Sequence, residues 1–152
     1  MTTEAFPVDR LNRILNAVDT IEVSLGILAR KQSLSREEYA ARTETQDIVE
    51  RRFVKMTEAA IDIGEELVKH ERGSPPASNP ESMRALETLG ILSASTAEEM
   101  AQAARFRNIL AHTYGSIIEH DIVYNALHDL ERYRQFLLEV RNYLESFGAL
   151  DE

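Results

Sequence analysis

No cysteine occurs anywhere in the 152 residues. Disulfides and thiolate zinc sites are therefore excluded, and the composition suits a reducing cytosol. Long apolar runs are missing too: none approaches the roughly 20 residues that a bilayer-spanning helix needs. The opening "MTTEAFPVDR" has neither the basic stretch nor the apolar run of a secretory signal. These absences predict a cytoplasmic protein with no membrane contact. Basic residues are in deficit, 17 against 26 acidic, for a formal net charge of −9. That balance repels nucleic acid at long range, because affinity for a phosphate backbone rests largely on Lys and Arg. Nucleic acid would meet a small local site here, not a basic surface. Sustained alternation of apolar and polar residues is also lacking, so no sheet is expected, and neither repeats nor low-complexity tracts occur.

What is present reads as helices. Apolar residues make up 43% and charged residues 28%, as in a soluble globular chain long enough to bury a core. From about Asp9 to Lys31, Leu11, Ile14, Leu15, Val18, Ile21, Leu25 and Leu28 recur at three- and four-residue spacing, which makes one apolar stripe. "SREE", Ser35 to Glu38, is a capping-box pattern that opens a short turn near Tyr39. A long helix follows from about Thr43 to His70, with Ile48, Val49, Phe53, Met56, Ala60, Ile63 and Leu67 as its stripe. "GSPPASNP", 73–80, is the clear loop, with Asn79 placed to cap the next helix, Pro80 at its first position and Gly90 at its end. Ser95 and Glu98 form a second capping-box pattern, and Gly115 marks that helix's exit. A final helix is expected from near Asp121 through Val123, Leu127, Leu130, Phe136, Leu137, Val140 and Leu144. The expected fold is a single all-α domain over 1–152, an antiparallel helical bundle with an internal loop at 74–80.

Common chemistries find no support in this pattern. Di-metal bundles use Glu-x-x-His pairs, but the residues three before His70, His112, His120 and His128 are Leu67, Ile109, Ile117 and Asn125. "EHD" at 119–121 with His128 and Asp129 reads as a loop and a solvated helix face before it reads as a metal site. No Gly-rich phosphate loop is present, and no strand-turn-helix context exists to expose a nucleophilic serine. No metal and no cofactor is expected.

"RFRNILAHTY", 105–114, concentrates two arginines, an amide, a histidine and a tyrosine just before Gly115. At about 100° per residue, Phe106, Ile109 and Leu110 share one side with Ala103, and Arg105, Asn108 and His112 lie opposite. Arg107 sits between, on the flank of the apolar stripe. The bland account is a polar helix face whose histidine complements the dipole at the helix C-terminus. The chemical account is that histidine moves protons near neutral pH and arginine is a fixed donor array for a phosphate gaining charge. RNA cleavage by its own 2′-hydroxyl needs those two services and no metal. Arg107 and His112 are separated by roughly 140° around a helix. They converge if the helix loosens near His112, or if two copies face each other across a dimer axis. Spacing by itself favours the bland account.

"RNILAHTY", Arg107 to Tyr114, resembles the Arg-x4-His-x-Tyr motif of HEPN-domain ribonucleases of the HepT toxin type. The likeness extends to "RRFVKMTEAAIDIGEELV", to "ALETLGILSASTAEEMAQAARFRNILAHTYGSI" and to "DIVYNALHDLERYRQFLLEV", over roughly residues 8 to 146. The resemblance implies a HEPN-like homodimer with a cleft at its interface holding both copies of the motif. It implies metal-independent RNA cleavage, with Arg107 and His112 at the catalytic positions. Asn108, and Arg105 beside the motif, would contact the RNA substrate. Tyr114 matches the tyrosine to which a partner, a minimal nucleotidyltransferase antitoxin, adds AMP groups. The function expected is that of an endoribonuclease toxin of a toxin–antitoxin pair. The alternative is a non-enzymatic helical dimer that docks a nucleotidyltransferase through the same segment. RNA cleavage that disappears when only His112 is changed separates the two.

The wide apolar stripes of the first and last helices, with the angle between Arg107 and His112, predict a symmetric homodimer. Light scattering at micromolar concentration should return twice the 17.2 kDa chain mass. A monomer under those conditions overturns the composite site.

Overall fold

The computed structural model of the protein describes residues 6–76, 78–112 and 120–146. Among these there are seven helices and no strand. They are α1 (Val8–Lys31), α2 (Arg36–Ala40), α3 (Thr43–Arg72), α4 (Asn79–Thr88), α5 (Ala94–His112), α6 (His120–Leu127) and α7 (Glu131–Ser146). The all-α antiparallel bundle expected from the periodicity is the fold observed. Arg10 and Arg13, near the start of α1, both reach Glu66 near the end of α3, at 3.0 and 3.1 Å, so these two long helices run in opposite directions.

Helix α3 is the central element, packed against α1, α4 and α5 and touched by α2 and α6. It buries Val49, Phe53, Met56, Ala60, Ile63 and Leu67, most of the stripe read from the sequence. Ile48, counted in that stripe, is instead exposed, as is Leu15 on α1. Each lies one residue before or after the fully buried position, Val49 or Ile14, and so falls at the edge of its stripe. A hydroxyl pair sits inside the core: Thr57 Oγ1 and Tyr133 Oη lie 2.7 Å apart and tie α3 to α7. Burial pushes the Tyr133 phenol up, against the lowering effect of that hydrogen bond. Gly64 marks a close approach of α3 to α4, because a Cβ there would come within 3.3 Å of Ser82 Oγ.

The caps follow local chemistry, with three departures from the sequence reading. The Ser35 box on α2 is complete: Ser35 Oγ accepts from Glu38 N–H at 3.0 Å, and Glu38 Oε1 accepts from Ser35 N–H at 2.8 Å. Helix α4 is capped by Ser78, one residue before Asn79, with Pro80 in its first turn. Gly90 ends α4 as expected, at φ +79°, a left-handed conformation that costs glycine little.

Helix α5 starts at Ala94, so its cap is Ser93, not Ser95: Ser93 Oγ accepts from Thr96 N–H at 3.2 Å. The residue three after this cap is Thr96, which has no carboxylate to reach back. Glu139 of α7 fills that role from another helix. It accepts from Ser93 N–H at 2.8 Å, from the Thr96 hydroxyl at 2.7 Å and from Gln135 Nε2 at 2.8 Å. Two residues' difference in the cap rotates nothing in the helix, but it explains why a sequence pattern alone chose the wrong serine.

The third departure is the last helix, which is two. The chain turns between Leu127 and Glu131, with His128 N–H and Asp129 N–H bonded to the carbonyls of Asn125 and Ala126, each at 3.0 Å. No proline or glycine announces the break. It is stabilised from α1's end: Gln32 Nε2 donates to the Leu127 carbonyl at 2.9 Å, and His128 Nε2 lies 3.0 Å from the Gln32 carbonyl.

Burial pushes the Glu139 carboxyl up, but the hydrogen bonds from Gln135, Ser93 N–H, Thr96 and Ser93 Oγ together leave it below the ordinary glutamate value. A lowered folded value means that its contribution is complete above about pH 4.3 and fades as pH falls through the folded value. Glu139→Ala should cost about 1 kcal/mol at neutral pH, as loss of a helix cap does. Denaturant unfolding across pH checks this: the gap to wild type should narrow on acidification, and a gap independent of pH would show that Glu139 acts through packing.

Candidate active site

Rotation of α5 about its own axis is set by what it buries. Ala97, Ala101 and Ala104 form one small-residue stripe with Met100 and Ala103 beside it, all fully buried. One turn further on, Phe106 meets Phe53 of α3 edge to face, with centroids 5.9 Å apart. With the helix fixed in this way, Arg107 lies on the side facing α3. Its Nη2 donates to Glu58 Oε2 at 2.6 Å, and its Nη1 donates to Asn108 Oδ1 at 2.9 Å. The arginine side chain is 18% exposed and its Nε has no partner. The guanidinium is thus anchored at both terminal nitrogens while part of it still faces solvent.

Charge around it is mostly negative. An open groove of about 590 Å³ runs along α1 and α3 beside the pair, lined by Glu58, Asp62, Glu65 and Glu66 with Arg13 and Lys55. Burial, then the neighbouring Glu65, Glu58 and Glu66, push the Asp62 carboxyl up, with Arg107 opposing. A cation in this setting is the local attractor for a phosphate, and the acids around it penalise phosphate that is not on that cation.

The other residues singled out in the sequence fall as follows. Asn108 is half-buried and serves as Arg107's neighbouring acceptor. Arg105 is exposed and pairs with Glu98 at 3.7 Å, the same acid that Arg84 of α4 approaches at 3.4 Å. The two arginines of α5 therefore answer to different helices. The α5 backbone stays α-helical as far as His112, its last residue. Five residues of regular helix place the His112 backbone position roughly 140° around α5 from that of Arg107. Tyr114 and Gly115 lie outside the described residues. Ile109, assigned to the apolar face, is 57% exposed in the single chain, whereas Phe106 and Leu110 are partly buried against the core.

Sequence reasoning missed Glu58. It sits 49 residues from Arg107, and nothing in α3's pattern distinguishes it from the helix's other surface acids. The downstream flank has its own anchor. Arg36 of α2 reaches Asp121 at 2.8 Å and Asn125 at 2.9 Å and lies 4.7 Å over the Tyr124 ring, whose hydroxyl donates to the Leu34 carbonyl at 2.7 Å. The "EHD" acid is thereby committed to an ion pair. Among the described residues, no group of three or more His, Asp or Glu side chains is arranged to hold a metal ion.

The family model for ribonuclease HepT-like proteins matches residues 14–140. The chain belongs to the ribonuclease HepT-like family, and with it to the ribonucleases. It is 26% identical over 117 residues to the tRNA nuclease HepT of Aphanizomenon flos-aquae, an alignment covering 77% of this chain and 80% of that one. Its fold is similar to that of the tri-AMPylated HEPN toxin of Shewanella oneidensis, solved in complex with MNT antitoxin. The TM-score is 0.76 at 22% identity, over 86% of this chain and 97% of that one. It is also similar to YutE, a cytosolic protein of unknown function from Bacillus subtilis, with a TM-score of 0.78 at 15% identity over 91% and 92% of the two chains.

Proposed function

We propose that this chain is a metal-independent endoribonuclease toxin whose site forms between two copies of α5. The observation that carries the reading is Arg107: a part-buried guanidinium, held by Glu58 and Asn108 and turned partly to solvent, five residues before the histidine that ends its helix. In the mechanism, His112 acts as general base, taking the proton of the ribose 2′-hydroxyl, or as general acid, giving a proton to the leaving 5′-oxygen. The 2′-oxygen attacks phosphorus, the bond to the 5′-oxygen breaks, and Arg107 stabilises the charge that gathers on the phosphoryl oxygens. Asn108 and Arg105 contact the RNA on either side. The name of the Aphanizomenon relative supports RNA as the substrate class.

Homodimerisation supplies the convergence that one regular helix denies to Arg107 and His112. Ile109 on α5 and Ile122 on α6, 57% and 51% exposed, support a protein contact at this end of the bundle.

The partner in this reading is a minimal nucleotidyltransferase, and the Shewanella complex, with its AMP-modified toxin, supports that choice. Tyr114, two residues past His112, is the acceptor. A phenol with a pKa of about 10 is a poor proton carrier at neutral pH, so its role is regulatory. An added AMP brings negative charge and bulk to the place where RNA phosphate enters. The cytosol is the compartment in which both partners and RNA meet.

Cleavage of RNA by purified protein should survive EDTA, because the chain offers no cysteine and no Glu-x-x-His ligand pair. His112→Ala should reduce the rate by at least about 100-fold, the lower end of the range for general acid–base catalysis. Activity lost to chelator and regained with a divalent metal would replace this mechanism.

Tyr114→Phe should keep most of the nuclease activity and escape neutralisation. Growth of cells expressing the variant with and without the nucleotidyltransferase, alongside intact-mass measurement, checks it. A Tyr114→Phe protein that still gains AMP mass moves the modification elsewhere.

A further inference from the structure

We infer that Glu58 is a positioning residue for Arg107, fixing the guanidinium from α3 so that the remaining hydrogens of its terminal nitrogens face the scissile phosphate. The inference rests on the reading of Arg107 as the phosphate-holding residue. It adds a group from a helix outside the motif.

Glu58 is built to hold its position. It stands near the middle of the 30-residue α3, and its neighbours Met56, Thr57, Ala59, Ala60 and Ile61 are all buried, so its backbone cannot drift. The contact to Arg107 Nη2, at 2.6 Å, is at the short end for a charge-assisted hydrogen bond. Asn108 takes one hydrogen of Nη1. A guanidinium has five N–H groups, so each terminal nitrogen keeps one more hydrogen for a ligand. The two anchors come from different elements, α3 and α5, and together fix the plane of the group as well as its location.

A purely structural account of the pair is weak. Glu58 is 45% exposed, and ion pairs at such positions add little to stability. Geometry is far more sensitive, since a displacement of about 1 Å in a positioned group can cost 100-fold in rate. The negative charge of Glu58 also works against phosphate binding, in the company of Asp62. Position and charge therefore pull in opposite directions, which makes them separable by substitution.

Steady-state kinetics on a short RNA with full-length protein provides the test. Glu58→Ala should lower kcat by about 10- to 100-fold while the thermal midpoint stays near that of wild type. Glu58→Gln keeps an acceptor oxygen and removes the charge, so it should recover most of the lost kcat and lower KM. In an Arg107→Ala background, Glu58→Ala should cause no further loss, because it acts through the arginine. Equal losses with and without Arg107 would overturn the inference, as would a Glu58→Ala protein with raised kcat/KM, which would make Glu58 an inhibitory counter-ion. Nitrogen NMR of the Arg107 side chain reads the positioning without reference to cleavage: terminal N–H signals resolved in wild type should average in Glu58→Ala. Unchanged signals sink the positioning role even if no RNA is cut. Full activity in Arg107→Ala alone, by contrast, removes the proposed mechanism and leaves the NMR result standing.

Discussion

The close seat of α5 on α3 is the constraint on which the site depends. Ala97, Ala101 and Ala104 recur at intervals of four and three residues, and side chains this small let one helix axis approach another. Alanine also favours the helix itself. Large residues on that stripe would hold α5 away from the core and lift Arg107 out of reach of Glu58. The ring pair Phe53–Phe106 then stops rotation at the end of the stripe, one residue before the arginine. Packing on one side of the helix thus decides the chemistry available on its flank.

Helices α5 and α6, which flank the motif's end, are each fastened to other parts of the bundle. Upstream, α5 is held by its buried face and by the α3 ion pair. Downstream, α6 is gripped by Arg36 and by the Tyr124 hydroxyl on the Leu34 carbonyl, and its end is closed by Gln32 and His128. The connection between α1 and α2 therefore does more than join helices. It provides the Gln32 and Leu34 carbonyls that, with the Arg36 guanidinium at the start of α2, hold α6 in place.

Under the proposed function, electrostatics would limit where a phosphate can rest. The net charge of −9 and the acids on α3 make most of this surface repulsive to RNA. Arg107 is attractive at one point, and it is already engaged by Glu58 and Asn108. A substrate that binds there must match a single fixed donor array, whereas a broad basic face would take any sequence at any register.

Most of the helices were legible in the sequence because apolar spacing and caps are local. The stripes of α1 and α3, the Ser35 box and the Gly90 stop needed only neighbouring residues, and the motif from Arg107 to Tyr114 stood out by residue type. The α6–α7 break was not legible, because Gln32 satisfies the Leu127 carbonyl from 95 residues away. The cap of α5 was misplaced by two residues because half of it, Glu139, belongs to α7. Ile109 passed for a core residue because helical phase gives a direction but not the reach of the neighbouring helix. Glu58 could not be found at all. The sequence by itself determined that the chain is a helical bundle bearing an arginine–histidine motif near a helix end, since periodicity and residue chemistry are carried by adjacent positions. Only the tertiary structure decided which acid meets that arginine, because an ion pair between helices depends on how closely and at what rotation they pack.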